Sequence, residues 1–255
     1  MTLLSVLSAK GAPGATTTAM LVANLWPGPS VLVDADPAGG DVAMRLLSES
    51  GRRLDPDRGL MSLLPAASRG MPAQALLGHA QQAAGGQAVV CGLAGPEQAL
   101  AVTGLWPSLA GCFAGAGDVD VIADLGQTHS RSPHLPVLEM STGALIVYRP
   151  TAWSVLHTRR RLEALAEVLV ARRVVTGIVC VAGSREGSDA AAAGDRIRRD
   201  LSWVRDWGTV VRDDKAVKMF EGGAVIRPER TLLARSGKAL VSLVFNQLSS
   251  DAGSS

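Results

Sequence analysis

The sequence predicts an α/β domain: a doubly wound, mostly parallel sheet with helices on both faces. Three observations carry that expectation. Short β-branched or aliphatic runs alternate with longer stretches of helical spacing along the chain. The apolar runs are continuous, as they are in strands buried on both faces. Glycine-rich turns or carboxylates directly follow several of these runs, at the strand ends where α/β sheets bind ligands.

Strands are expected at Leu3–Leu7, Ser30–Asp34, Ala88–Leu93, Val119–Asp124, Ala144–Tyr148, Val174–Val181 and Thr209–Val211, each bounded by Gly, Pro or Asp. Helices are expected over Thr17–Leu25 and over Pro72–Ala84, which is rich in Ala, Gln and Leu. Thr151–Ala171 sets Trp153, Leu156, Leu162, Leu165, Val168 and Leu169 near one face, and Ser188–Leu201 and Ser236–Leu248 follow the same spacing. No internal repeat or linker interrupts the pattern. One domain over residues 1–248 is expected, with residues 249–255 as a loose polar tail.

Composition narrows the function classes. Of 255 residues, 47% are hydrophobic and 19% charged, with 25 basic against 23 acidic side chains, so disorder is excluded for most of the length. A net charge of +2 argues against a strongly basic nucleic-acid protein, and 4% aromatics leave few platforms for stacking bases. Cys91, Cys112 and Cys180 are far apart and read as reduced, packed thiols. The four histidines show no zinc or metalloprotease spacing, and no G-x-S-x-G elbow occurs. The apolar start Met1–Leu7 meets Lys10 too soon for a signal-peptide core, and the longest apolar runs fall short of a bilayer span, so a cytoplasmic location is expected.

The first strand runs into Ser8-Ala9-Lys10-Gly11-Ala12-Pro13-Gly14-Ala15-Thr16-Thr17-Thr18, where a helix starts. Strand, glycine-rich turn and helix make the context of a phosphate-binding loop, in which backbone N–H groups and the helix N-terminus favour an anion. An ordinary βα turn capped by threonine has the same outline, and Ala15 stands where such loops carry lysine. Two further signals weigh against coincidence. The second strand ends Val33-Asp34-Ala35-Asp36-Pro37 and a later one ends Ala123-Asp124-Leu125-Gly126. Aspartates at strand ends beside phosphates can hold Mg²⁺ through its waters; singly, each could equally cap a helix or turn.

With those three motifs in order, the sequence resembles the ParA/MinD family of P-loop proteins, whose deviant Walker A loop reads K-G-G-x-G-K-[ST]-T. Lys10–Thr17 matches that loop, Asp34-Ala35-Asp36-Pro37 the D-x-D-P motif, and Asp124 the Walker B aspartate. The segment Gly92-Leu93-Ala94-Gly95-Pro96-Glu97 is similar to the TadZ/CpaE-like branch. Gly177–Val181 and Gly222-Gly223-Ala224-Val225 resemble later family segments. The resemblance implies a P-loop NTPase-like fold, ATP or ADP with Mg²⁺ as ligand, and a homodimer with a further protein partner. It implies Lys10, Gly11, Gly14, Ala15, Thr16 and Thr17 as nucleotide-binding positions. Thr16, Asp34 and Asp124 would serve the metal, Asp36 would orient the attacking water, and Lys10 would reach the phosphates across the dimer.

The departures weaken that site at both ends. Ala15 removes a charged contact with the phosphates, worth roughly 1.5–3 kcal/mol, and Pro13 removes one N–H of the cradle. Val181 stands at the family's base-contacting asparagine, and Val210-Val211-Arg212-Asp213 lacks the proline of I-P-x-D. Weak or lost nucleotide binding is therefore expected. Two readings stay open: a positioning protein for a chromosome, plasmid, division site or pilus or secretion machine, with weak or absent hydrolysis; or a slow ATPase that uses Lys10.

Residues 151–212 hold 11 Arg against seven Asp or Glu, a net charge of +4. Nonspecific DNA contact is one reading and a solvated helix the other, because Arg159, Arg160 and Arg161 fan over about 200° and form no stripe. Arg172 and Arg173 suit a helix C-terminus. Lys238 is the only charge in Gly237–Leu248, so no MinD-like basic anchor is visible and membrane binding is not expected.

Overall fold

The computed structural model describes residues 1–10, 14–69, 75–222 and 228–252. In chain order, β1 (Leu3–Ser8) leads into α1 (Ala15–Leu25), β2 (Ser30–Asp34), and the short helices α2 (Val42–Arg45), α3 (Leu60–Ala67) and α4 (Ala75–Gly78). Then come β3 (Gln81–Gln82), β4 (Ala88–Val90), α5 (Pro96–Ala101), α6 (Trp106–Ala114), β5 (Asp120–Gln127) and α7 (Leu135–Glu139). The last part is β6 (Gly143–Tyr148), α8 (Ala152–Ala171), β7 (Val175–Ala182), α9 (Gly187–Arg198), β8 (Arg205–Val211) and α10 (Leu232–Ala252).

The strands form one eight-stranded sheet ordered β3-β4-β2-β5-β1-β6-β7-β8. Every pairing is parallel except that of β3 with β4. Successive residues of a strand face opposite sides of the sheet, and β1 shows the consequence. Leu3 and Leu7 enter one apolar cluster with Trp106 and Phe113 of α6 and Leu162 and Leu165 of α8. Leu4 and Val6 enter a second, with Met20 and Leu21 of α1 and Leu240 and Val244 of α10. The chain turns outward both ways from β1, which lies between β5 and β6, so the carboxyl ends of β1, β2 and β5 share one crevice.

Several expectations need correction. The helix expected over Pro72–Ala84 is present only as Ala75–Gly78; residues 72–74 lie outside the described chain, and Gln81–Gln82 is an edge strand on β4. Tertiary pairing overrides helical propensity there: the Gln81 amide donates to the carbonyls of Asp55 (2.7 Å) and Arg58 (2.6 Å). The strand expected to Leu93 stops at Val90, because Cys91 turns to bridge Gly59. Strand β5 runs on to Gln127 and β8 starts at Arg205, beyond the expected bounds. The polar tail is helical through Ala252, and Asp251 pairs with Arg205 at 2.8 Å. Gly223, Ala224 and Val225 lie outside the described residues.

The three consecutive arginines do diverge. Arg159 pairs with Glu163 (3.0 Å) and Asp200 (2.6 Å), Arg161 donates to the Ala9 carbonyl (3.0 Å), and Arg160 is exposed. Cys91, Cys112 and Cys180 are buried and unbridged. Among the described residues no helix is long and apolar enough to cross a membrane.

Candidate functional site

Gly14 takes the left-handed conformation at φ +99°, which glycine adopts without strain, and so turns the chain into α1. That helix starts with no side-chain cap and no acidic residue in its first turn. Its N-terminus therefore presents backbone donors and positive potential towards the crevice. Ala15 is 1% exposed and packs into the apolar layer under the helix. Gly11 and Pro13 lie outside the described residues.

Opposite that helix start, Asp34 and Asp124 pair in register across β2 and β5, and each is 1% exposed. The Asp34 carboxylate accepts the Val42 N–H at 3.1 Å, which ties α2 to the end of β2. It is also wedged between Gly40 and Gly92; a Cβ at Gly92 would lie 2.8 Å from the Asp34 carboxyl carbon. Asp124 accepts the Gly126 N–H on Oδ1 at 3.1 Å, and the Thr16 hydroxyl bonds the same carboxylate. Among the described residues Asp124 Oδ2 is buried without a hydrogen-bond partner. Burial raises both pKa values, and Asp34 is raised further by the facing Asp124 charge. Two adjacent buried carboxylates cannot both ionise cheaply without a cation.

Asp36 is half-buried; its Oδ1 accepts the Ala38 N–H at 2.8 Å, and its carboxylate presses on Gly126, whose φ is +54°. Burial raises the Asp36 pKa as well. The structure thus brings Thr16, Asp34, Asp36 and Asp124 together. Thr17 accepts a hydrogen bond from the Arg45 guanidinium at 3.0 Å. Lys10 is exposed, in a surface hollow with Gln127, His157, Arg160 and Arg161.

Beside Gly14 opens a cleft of about 250 Å³ over Thr17, Val181, Val210 and Leu233, with Arg149, Arg212 and Lys218 and also Asp213 and Asp214 at its walls. It is large enough for part of a nucleoside, and its floor offers apolar contact. Among the described residues no asparagine side chain lines it, as the sequence implies at Val181.

The donor set suits a small hard cation. One hydroxyl and two carboxylates, one of them with an oxygen that has no partner among the described residues, leave positions for water and phosphate oxygens, the mode Mg²⁺ prefers. Among the described residues no group of three or more His, Cys, Asp or Glu side chains forms a metal cage of its own. Sequence reasoning missed Arg45, an arginine in a four-residue helix with no motif around it. It also missed the packing roles of Gly40, Gly92 and Gly126, whose only signal was glycine near a strand-end aspartate.

Comparison with solved structures finds the same overall fold. A ParA family ATPase from Chlorobium tepidum TLS superposes with TM-score 0.72 at 17% identity, over 94% of this chain and 98% of that one. The chain has the fold of the ParA/MinD ATPases. The septum site-determining protein MinD of Pyrococcus horikoshii, complexed with Mg-ADP, gives TM-score 0.69 at 15% identity, over 95% of each chain. A variant of Cyanothece McdA in complex with ATP gives 0.67 at 14%, over 96% of each chain. Neither a family model nor a curated relative matches the sequence. The ParA/MinD-like fold sets β1, α1, β2 and β5 around one crevice, where the motif residues meet.

Proposed function

We propose that the chain is a ParA/MinD-like positioning protein that binds Mg²⁺-nucleotide weakly and hydrolyses it slowly or not at all. The observation that carries the reading is the buried Asp34–Asp124 pair, with Asp124 Oδ2 unpartnered among the described residues, facing the uncapped start of α1. Neighbours solved with ATP and with Mg-ADP support the choice of ligand.

In this reading the N–H groups of α1 and the Thr17 hydroxyl bind the phosphates, and Thr16, Asp34 and Asp124 hold the cation. When bound, the cation neutralises phosphate charge. Asp36, steadied by the Ala38 N–H, orients water beside Gly126. The cleft over Val181 and Val210 takes the base by contact alone, so base discrimination is low. Hydrolysis is slow because Ala15 puts no charge on the transferring phosphoryl group, where electrostatic stabilisation supplies most of the rate.

The cargo is a chromosome or plasmid, a division site, or a polar pilus or secretion machine. The last follows the TadZ/CpaE-like segment at Gly92–Glu97. The protein acts as a cytoplasmic homodimer with a protein partner. Exposed Arg160 adds a nonspecific DNA contact, while α10 buries Leu240, Val244 and Leu248 in the core, which leaves its apolar face no membrane role. The second reading, a slow ATPase, is favoured by one observation: Lys10 is exposed beside the loop, where a partner's phosphates could meet it. Calorimetric titration with Mg-ATP, with steady-state hydrolysis in the presence and absence of DNA, tests both. Micromolar or weaker affinity is expected; nanomolar affinity overturns the weak-binding reading, and turnover that depends on Lys10 selects the second.

A further inference from the structure

The site lacks the lysine at position 15, yet a cation does reach it. We propose that Arg45 supplies in cis the positive charge that Ala15 lacks and is a phosphate-binding residue of this chain. The inference rests on the nucleotide reading above and names the group that makes the pocket competent.

Arg45 ends α2, and both ends of that helix are tied to the site. At its start the Val42 N–H donates to the Asp34 carboxylate (3.1 Å). At its end an Arg45 guanidinium N–H donates to the Thr17 hydroxyl (3.0 Å), in the first turn of α1. The guanidinium is therefore fixed where the helix N-terminus presents its donors. It is close enough to favour the charged form of Asp124, which stands on the other side of the crevice. Arg45 is half-buried, so it is partly desolvated and still reachable by a ligand. Ala15, by contrast, turns its methyl into the apolar layer and offers the site nothing polar.

The chemistry suits the task. Guanidinium presents N–H donors in a planar fork that matches phosphate oxygens, and it stays charged at any physiological pH. Bound to Thr17 beforehand, it loses little freedom when a phosphate arrives. A nucleoside triphosphate brings several negative charges into a crevice that already holds Asp34, Asp36 and Asp124. Arg45 would share with the bound Mg²⁺ the task of offsetting them.

The test uses the full chain, with Arg45→Gln, Arg45→Lys and Ala15→Lys beside the wild type. Each is titrated with Mg-ATP, Mg-ADP and adenosine, and melted without ligand. Arg45→Gln should weaken Mg-ATP binding roughly ten- to hundredfold, by the worth of a charged hydrogen bond. Mg-ADP should weaken less, and adenosine should be unaffected. Arg45→Lys should keep part of the affinity, and it carries the test if the glutamine variant does not fold. Equal Mg-ATP affinity in wild type and Arg45→Gln overturns the inference and leaves the nucleotide reading standing. A wild type that binds no Mg-ATP while Ala15→Lys does shows that Arg45 is no substitute, which also overturns it. Absence of binding in both overturns the nucleotide reading itself.

Discussion

Asp34 and Asp124 stand side by side at the ends of two parallel strands, paired residue to residue, both buried. Nothing in strand pairing requires that. A core built only for stability would place apolar side chains at both positions, since buried polar groups cost free energy unless fully satisfied. Here Asp34 is packed by two glycines, and among the described residues Asp124 keeps an oxygen without a partner.

The pair makes stability depend on pH. Asp34 is raised from 3.8 to about 8, so the folded chain holds a proton that the unfolded chain releases at lower pH. A carboxyl raised in the folded state destabilises as pH rises, here from about pH 4 towards pH 8, and gives no penalty below that window. Asp34→Asn keeps the shape and an acceptor for the Val42 N–H but removes the charge. Its melting temperature should exceed the wild type's by several degrees at pH 8 and equal it near pH 4. Mg²⁺ should stabilise the wild type at pH 8 and leave the variant unmoved. A variant melting below the wild type at pH 8 would show that the charged form is stabilised by contacts other than those described.

Gly126 carries a second test. Its φ of +54° lies in the left-handed region, and a Cβ there would overlap the Asp36 carboxylate. Gly126→Ala should lose about 1–3 kcal/mol, from backbone strain and overpacking together. Denaturant titration measures it. Gly51→Ala, at φ +74° with open space around it, should lose only the backbone part and separates the two causes.

Both aspartates were legible in the sequence because each ends a continuous apolar strand, and a strand end in a parallel sheet has a fixed place in the fold. The turn between β1 and α1 was legible for the same reason, from Leu3–Leu7 running into Gly14. Arg45 was not, because its role comes from the position of α2 over α1, a relation between segments 28 residues apart. The short helices α3, α5, α6 and α7 were also missed. Residues such as Trp106, Leu109 and Phe113 of α6 pack inside the sheet's cover, and a nine-residue helix gives too few turns for a clear period. The edge strand Gln81–Gln82 hid in an alanine- and glutamine-rich stretch because its conformation is set by β4 and the loop at Asp55.

Ala15→Lys asks whether the loop is a nucleotide site. Ala15 is 1% exposed, so a lysine there must lead its ammonium out of the apolar layer, and without ligand the variant should melt lower than the wild type. With Mg-ATP it should gain affinity by a charged contact's worth, roughly 10–150-fold. In the Arg45→Gln background the gain should be larger than in the wild type, since contacts to one ligand group are not additive. Unchanged affinity in a folded variant would make Gly14–Thr17 a structural turn.

In the proposed reading Lys10 links ligand and assembly. It is exposed at the rim of the loop, and the preceding carbonyl, Ala9 O, is held by Arg161 of α8 at 3.0 Å. That bond fixes where the chain leaves β1 and gives the Lys10 stem a defined origin on the surface. Lys10 shares its hollow with His157, Arg160 and Arg161, so the local potential is positive and an anion from outside is drawn to it. A second copy carrying a bound nucleotide presents such an anion. Whatever binds the dimer better than the monomer favours dimers by mass action. Lys10→Ala should therefore weaken nucleotide-promoted dimerisation by about 1.5–3 kcal/mol, while the monomer's melting barely changes because an exposed side chain makes little of the core. Sedimentation velocity of both forms, with and without a Mg²⁺-ATP analogue, measures this. Equal dimer fractions at saturating analogue would reject the trans role of Lys10. Dimers equally strong without nucleotide would show an interface independent of the site and would favour the scaffold reading over the ATPase.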